Sequence, residues 1–240
     1  MIDWLRKEVS DPEVAVGEVK LPLAIRRHAT AKRMTMRLAP DGSEVRVTLP
    51  RWGRTAEALA FAESRADWLA RQLGKIPQTS ELKSGGTFQF LGEDVTIDWQ
   101  ADAPRKPVIA DKVVTLGGPE SSLVTRIQRW LEAEALALMQ TDLSEYCEAA
   151  SVTAPKLRLS RAQRRWGSCA SDGTVRINWR LVQAPPLVRR SVVAHEVAHL
   201  VHFDHSPAFH ALLGQIYDND IEIANAWLKV YGRGLYASFG

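Results

Sequence analysis

Five of the six histidines in the chain lie within residues 192–213. Two of them, His195 and His199, flank Glu196 in the pattern H-E-x-x-H. On a helix, residues four positions apart lie on one face and one turn apart, so both imidazoles can reach the same metal ion. The neighbouring residues are largely apolar, and polar groups in a buried segment cost stability unless they have partners. The pattern therefore predicts a helix that binds a metal ion through two imidazoles.

The position of Glu196 favours proton transfer over metal binding. Its side chain is offset by about 100° around the helix from that of His195. From there a carboxylate can reach a water molecule on the ion without binding the ion itself. Zinc binds imidazole well and lowers the pKa of bound water to about 7, and a carboxylate can then take the proton. We therefore expect one Zn²⁺ ion as the cofactor, with Glu196 as the catalytic base of a hydrolytic reaction.

A catalytic zinc site generally uses three protein ligands and leaves one position open, so a third ligand is needed. His202 follows His199 by three residues but lies a further turn along the helix, roughly 10 Å of rise from His195. A straight helix cannot bring these three imidazoles to one ion. We therefore expect His202 to be exposed or to contact a ligand, and not to bind the metal.

His205 is the favoured third ligand. It comes directly before Ser206 and Pro207, and the residue before a proline avoids the α region. The chain must therefore turn after the metal-binding helix, and a turn there can return His205 toward the ion. His210 on the following helix and a carboxylate such as Glu222 remain alternatives.

The C-terminal half is predicted to be helical, with a small sheet. Helical patterns begin at Ser121, near Pro186, at Ser206 and at Asp220, and proline is tolerated in the first turn of a helix. Two strand patterns, "APKLRLS" and "GTVRINWRLV", flank the segment "RAQRRWGSCASDG". The metal-binding helix is thus preceded by strands and followed by two shorter helices.

The N-terminal half is predicted to be β-rich. Apolar residues alternate with polar ones over 34–38 and 45–49, and "PDG" between them indicates a hairpin. Apolar positions over 54–74 have helical spacing. Further short strands are predicted in 84–100 and 112–118, with a loop over 101–111. The expected fold class is α+β, divided into a loosely ordered N-terminus (1–20), a β-rich region (21–118) and the metallohydrolase domain (119–240).

Composition limits the classes of protein that need to be considered. The chain has 240 residues, of which 45% are hydrophobic and 25% charged, as in ordinary globular proteins. Two cysteines cannot form a disulfide framework, and the first residues have no apolar stretch typical of a signal peptide. No run approaches the roughly 18 apolar residues of a membrane span. We expect a cytoplasmic protein with no membrane partner. A net charge of +3 is weak support for nucleic-acid binding, so no nucleic-acid partner is expected.

Four motifs in the same order resemble those of a known family. The segments "RWGSC", "INWRL", "AHEVAHL" and "HSPAF" together are similar to the YgjP-like metallopeptidase domain, a minimal zincin related to the SprT-like and M48 metallopeptidases. The segment "IRRHATAKRMTMRLAPDGSEVRVTLP" resembles the N-terminal half of the same family. The resemblance implies a zinc ion held by His195, His199 and His205, with Glu196 as general base, and therefore a peptide or protein substrate.

Residues before the metal-binding helix are candidates for substrate binding. Gly167 lets a backbone approach closely, and Trp166 can form an aromatic wall, although both also fit a structural role. The resemblance implies that the strand containing them pairs with an extended peptide. Asn178 and Arg180 in "INWRL" are candidates for positioning either the helix or the substrate. Arg165 is the fifth candidate, because it lies within a cluster of arginines.

That cluster supports an alternative substrate. Eight arginines lie before or on the metal-binding helix, and guanidinium groups match phosphate oxygens. They are Arg158, Arg161, Arg164, Arg165, Arg176, Arg180, Arg189 and Arg190. If several face the zinc, the substrate is a phosphorylated small molecule such as a nucleoside triphosphate or another phosphoanhydride. A non-catalytic zinc-containing binding module is the third hypothesis.

Overall fold

The structure is a computed structural model, which describes residues 12–76 and 82–239. The chain divides between Gln78 and Thr79 into two compact units. Each unit has its own cluster of buried apolar side chains. We call the described parts of these units unit 1 (12–76) and unit 2 (82–239).

Unit 1 is a four-stranded sheet with two short helices. The strands are β1 (Glu13–Val16), β2 (Val19–His28), β3 (Thr35–Leu38) and β4 (Val45–Pro50), and the helices are α1 (Thr55–Glu63) and α2 (Ala66–Leu73). The strand order is β1-β2-β4-β3. β2 and β4 are parallel, and the other two pairings are antiparallel. The predicted hairpin is confirmed as β3 and β4. The prediction of a loosely ordered N-terminus is wrong for residues 13–20, which form β1 and the start of β2, while residues 1–11 lie outside the described part.

The single helix predicted over 54–74 is in fact two helices, and the break lies at Ser64 and Arg65. The Ser64 hydroxyl donates a hydrogen bond to the carbonyl of Phe61, 2.8 Å away. Serine competes in this way with the helical backbone for hydrogen bonds. Arg65 then has a φ of −116° and a ψ of 15°, outside the helical region, before α2 begins at Ala66. Apolar spacing alone does not reveal such a break.

Unit 2 begins with a second four-stranded sheet. Its strands are β5 (Thr87–Phe90), β6 (Glu93–Trp99), β7 (Val108–Ala110) and β8 (Val113–Leu116), in the order β5-β6-β8-β7. The predicted loop over 101–111 is therefore wrong at β7, which pairs with β8. The turn between them has positive φ at Asp111 (48°) and Lys112 (62°), a conformation that glycine usually signals in a sequence.

The rest of unit 2 consists of helices and a three-stranded sheet. The helices are α3 (Leu123–Ala149), α4 (Pro186–Val201), α5 (Pro207–Ile216) and α6 (Ile221–Tyr231). The sheet comprises β9 (Leu157–Ser160), β10 (Gly167–Cys169) and β11 (Val175–Asn178), in the order β10-β11-β9. Short 3₁₀ helices span Glu120–Ser122, Trp179–Gln183 and Gly232–Tyr236. The helices predicted near Pro186, Ser206 and Asp220 are all present.

One hydrophobic core joins the second sheet to the helices of unit 2. Phe88, Val95 and Ile97 belong to the same buried cluster as Trp179 and Val193. The division between the two units therefore lies before the second sheet, between residues 78 and 79. The boundary that the sequence suggested, between 118 and 119, lies after that sheet. The glycines and proline at 117–119 are typical of a linker between domains, but residues before and after them belong to the same buried apolar cluster.

The architecture is α+β, with a β-rich N-terminal half and a helical C-terminal half that includes a small sheet. The two four-stranded sheets share one connectivity, in which a parallel pair is flanked by two antiparallel hairpins. The sequence shows no repeat that would have predicted this. Within the described residues, no helix combines the length and apolar character that crossing a bilayer requires.

Candidate metal centre

The H-E-x-x-H pattern lies on the last two turns of α4. Pro186 occupies the first turn, where its missing N–H has no helical partner to lose. Apolar side chains on α4 are fully buried in the core of unit 2, among them Val193, Val197 and Ala198. Because this face is fixed by packing, the opposite side of the helix holds His195 and His199 one turn apart.

The chain reverses immediately after α4. The helix ends at Val201, and His202 is extended, with a φ of −126° and a ψ of 108°. Four residues after His202, Ser206 caps α5 by accepting a hydrogen bond from the backbone N–H of Phe209. Serine at the N-cap followed by proline in the first turn is a strong start signal for a helix. The turn between the two helices places His205 beside α4, as the sequence analysis expected.

The three imidazoles converge through their Nε2 atoms. His195 Nε2 lies 3.1 Å from His199 Nε2 and 3.3 Å from His205 Nε2. One nitrogen from each ring lies within 4.8 Å of the others, and the three form a group able to hold a metal ion. Neither His210 nor Glu222, the two alternatives for the third position, belongs to this group.

These separations fit a tetrahedral ion. Zinc lies about 2.0–2.1 Å from imidazole nitrogens, which puts two such nitrogens about 3.3 Å apart. His199 Nδ1 lies 3.0 Å from the backbone carbonyl of His202, so Nδ1 donates and Nε2 keeps its lone pair for the ion. Burial, together with the neighbouring imidazoles, lowers the pKa of His195 to about 4, which keeps that ring neutral at pH 7. The donor set therefore suits zinc.

Phe209 is a contact that the sequence analysis missed. Its ring is fully buried, and its centroid lies 5.0 Å from that of His195, 4.6 Å from His199 and 4.9 Å from His205. One aromatic ring thus restricts the rotamers of all three imidazoles. The motif "HSPAF" predicts this contact. Ser206 starts α5 directly after the chain reverses, so Phe209 in the first helical turn of α5 faces α4.

Glu196 lies next to His195 on α4 and lines the same cavity. Only 5% of its surface is exposed. Burial raises the pKa of its carboxyl to about 7, although the backbone N–H of Cys169 donates to it and Arg165 lies near enough to favour the charged form. A carboxyl group with a pKa near neutrality can both accept and return a proton. Of the predicted arginines, Arg165 is thus the one with an electrostatic effect on Glu196.

Gly167 provides the space for that carboxylate. A Cβ atom at position 167 would lie 2.7 Å from Glu196 Cγ and closer still to Oε1, so a larger residue would displace the side chain. Gly167 and Cys169 are the ends of β10, which among the described strands pairs with β11 alone. The glycine in "RWGSC" is therefore needed for the close approach of a strand to α4.

A cavity of about 220 Å³ opens beside these groups. Trp166 and Gly167 from the β10 side line it together with His195 and Glu196. The remaining lining comes from Ser191, Val192, Ile221, Asn225 and Leu228. Two of the five predicted substrate residues thus contact the cavity, and α6 contributes a wall that the sequence analysis did not expect.

Asn178 and Arg180 lie elsewhere. Asn178 Nδ2 donates to the carbonyl of Ala162 at 2.7 Å and to the Tyr236 hydroxyl at 3.1 Å. Arg180 donates to the carbonyl of Phe239 at 3.0 Å, and its guanidinium lies 4.7 Å from the centre of the Tyr236 ring. Both side chains are buried, and neither lines the cavity. They fix the C-terminal segment against the sheet.

Several other arginines of the cluster are used within the fold. Arg189, buried on α4, pairs with Asp142 of α3 at 2.7 Å. Arg190 pairs with Asp142 at 3.1 Å and with Glu145 at 2.7 Å. Arg161 likewise pairs with an acid of α3, at 2.6 Å. These guanidinium groups join elements of unit 2 and do not face the three imidazoles.

A helix with this pattern, next to an edge strand and an open cavity, is typical of metal-dependent hydrolases. A family model, the YgjP-like metallopeptidase domain, matches residues 32–231. The chain belongs to this family, and the resemblance of the four motifs is confirmed. It is therefore a metallohydrolase by family. Neither the comparison with curated proteins nor that with solved structures found a match.

Proposed function

We propose that the protein is a zinc-dependent metallopeptidase in which His195, His199 and His205 hold the metal and Glu196 is the general base. The observation that carries the proposal is the convergence of three Nε2 atoms on one side of α4, beside a buried carboxylate and an open cavity. The family supports the same chemistry, since it is described as a metallopeptidase domain.

Each side chain has a distinct part in this reaction. When bound, the zinc supplies a Lewis acid that polarises the scissile carbonyl and acidifies the attacking water. Glu196 takes a proton from that water and returns it to the leaving amine. Cys169 orients Glu196 through its backbone N–H, and its own thiol, whose pKa is raised by burial, has no part. Phe209 keeps the three imidazoles in place.

The substrate is proposed to be an extended peptide or protein segment bound along β10. Within the described residues this strand pairs on one side only, so its other edge has backbone groups able to pair with a peptide. Trp166 and Gly167 lie at the same edge and line the cavity, which is of a size for one side chain and smaller than the 300 Å³ or more of typical ligand pockets. The cytoplasmic location stays a prediction.

The test compares the zinc-loaded protein with its Glu196→Gln variant on unfolded casein. We expect the variant to lose about 10²–10⁴-fold in rate, because the proton acceptor is removed, while its zinc content stays near that of the wild type. Elemental analysis measures the metal. Peptide cleavage that persists in the variant, or that is absent from the zinc-loaded wild type, would contradict the proposal.

The phosphoanhydride alternative is tested in the same experiment. It rests on the arginines before α4, of which Arg165 is the one with an effect on Glu196. Incubation with a panel of nucleoside triphosphates separates the two substrate classes. Phosphate release without peptide cleavage would replace the metallopeptidase by a phosphoanhydride hydrolase. A metal-bound protein that cleaves neither would support the non-catalytic zinc module.

A further inference from the structure

Charge is distributed unequally between the two units. Unit 1 has 12 lysines and arginines against 7 aspartates and glutamates, a formal charge of +5. Unit 2 has 17 of each and is formally neutral. The net charge of +3 for the whole chain therefore conceals a strongly basic unit. Such asymmetry between parts of a chain suggests an anionic partner.

Half of the basic residues of unit 1 lie at one end of its sheet. β2 and β4 are parallel and end side by side, with His28 opposite Pro50. Six cations lie at this end, on the last residues of β2, in the connection to β3 and in the connection from β4 to α1. They are Arg26, Arg27, Lys32, Arg33, Arg51 and Arg54, and we call this surface the basic end. The acidic residues Asp41 and Glu44 lie in the β3–β4 turn, at the opposite end of the sheet.

These six cations are exposed and are not neutralised by the fold. In the part of the chain that the structure describes, none of them forms an ion pair, whereas Arg190 and Arg161 of unit 2 do. All six side chains are exposed. The nearest acid in sequence, Glu57, is hydrogen-bonded to the backbone N–H of Arg54 at the start of α1. The basic end therefore has a positive field available to a ligand.

An exposed tryptophan lies in the β4–α1 connection of the basic end. Trp52 follows Arg51, and 78% of its surface is exposed. Tryptophan is among the residues that folding usually buries, so an indole this exposed points to a contact with another molecule. Within unit 1 the other exposed large apolar residues are Val19, at the start of β2, and Trp68, on α2. Trp52 is thus the one exposed large apolar residue of unit 1 in the connections that carry the six cations.

The turn that carries Trp52 is braced by Arg27. Its Nε donates to the carbonyl of Gly53 at 3.2 Å, and its Nη2 donates to the Thr55 hydroxyl at 3.0 Å. The backbone N–H of Gly53 also donates to the carbonyl of Pro50 at 3.0 Å. A ligand that stacks on this indole therefore does not need to order the backbone first, which lowers the entropic cost of binding.

We propose that the basic end of unit 1 binds single-stranded nucleic acid, with a base stacked on Trp52 and phosphates contacted by the surrounding cations. Phosphate contacts from Arg and Lys together with aromatic stacking are the combination that single-stranded nucleic acids require. An anionic membrane is less well matched, because interfacial binding needs several apolar side chains on one face and the basic end has one. The site lies outside unit 2 and does not depend on the proposed hydrolase activity.

The test measures fluorescence anisotropy of labelled 15-nucleotide oligo(dT) and oligo(U) with the full-length protein in EDTA. We expect binding that weakens with salt, and a Trp52→Ala variant that binds at least about 5-fold more weakly. The double variant Arg51→Ala/Arg54→Ala should also reduce the dependence of log K on log salt, by about 0.7 for each phosphate that the variant no longer neutralises. Trp68→Ala, which removes the exposed indole of α2, should bind as the wild type.

Four outcomes would overturn the proposal. They are no binding to either oligonucleotide, unchanged affinity in Trp52→Ala, equal affinity for a duplex of the same length, and binding to phosphatidylserine vesicles in its place. If binding is absent in EDTA but appears when zinc replaces EDTA, the phosphates are assigned to the metal centre and not to unit 1. Thermal unfolding of each variant shows that a weaker affinity does not come from a damaged fold, and the oligo(dT) and oligo(U) affinities distinguish DNA from RNA.

Discussion

At the scale of single residues, the metal centre shows how much short-range sequence can determine. His195 and His199 are placed by helical periodicity, and His205 by a serine and a proline that force a turn. Each of these features is local, so the sequence was sufficient to predict the convergence of three rings. The contacts of Glu196 with Cys169 and Gly167 could not be predicted in this way, because β10 lies nearly thirty residues before Glu196 and reaches it only in the tertiary fold.

The third ligand provides a residue-scale prediction. We expect His205→Ala to lower zinc affinity by at least ten-fold, since a two-imidazole site lacks one of the three ligands that catalytic zinc uses. Isothermal titration of the apoprotein with zinc measures the affinity. His210→Ala is the matched control, because that imidazole is exposed on α5, outside the converging group. Equal loss in both variants, or none in His205→Ala, would remove His205 from the metal site.

At the scale of elements, α3 and α4 are joined by a buried ion pair that the sequence analysis interpreted differently. In the sequence, the arginines before and on the metal-binding helix suggest phosphate contacts, and Arg189 and Arg190 are among them. The acids that neutralise these two lie on α3, more than forty residues earlier. No local sequence pattern connects Arg189 with Asp142, so their ion pair becomes apparent only in the folded structure.

The ion pair predicts a large difference between two neighbouring acids of α3. Asp142→Asn leaves the guanidinium of Arg189 buried without its counter-charge, and we expect a loss of about 3–5 kcal/mol in the free energy of unfolding. Glu145→Gln, which affects a half-exposed carboxylate, should cost less than about 1 kcal/mol. Urea denaturation followed by circular dichroism measures both. Similar losses in the two variants would show that burial does not control the energy of this pair.

Sheets were harder to predict than helices. The hairpin of β3 and β4 follows from alternation and a turn signal, and α4, α5 and α6 follow from caps and apolar spacing. By contrast, β7 is short and exposed and is connected through a turn without glycine, so neither composition nor periodicity reveals it. The parallel pairings β2–β4, β6–β8 and β9–β11 join segments separated by other elements, and pairing of that kind is set by the tertiary fold.

At the scale of the whole molecule, the two separate cores predict that metal removal affects one unit. A ligand that binds only the native state stabilises it by about 4 kcal/mol at a concentration of 1,000 Kd. The candidate ligands all belong to unit 2. We therefore expect EDTA to increase amide hydrogen exchange in α4 and α5 and to leave β2 and β4 unchanged. Mass spectrometry of peptides from both units measures this, and equal deprotection of unit 1 would contradict it.

The three imidazoles come from eleven consecutive residues, 195–205, so closing this part of the chain around an ion costs little loop entropy. Glu196, although it lies among them, acquires its hydrogen bond and its dry surroundings from β10, nearly thirty residues upstream. Formation of the metal site and burial of Glu196 can therefore be separate steps in the folding of the chain. On the proposed function, a chain that has formed α4 and the following turn but has not yet docked β10 would bind the metal without catalysing hydrolysis, because Glu196 would still be solvated.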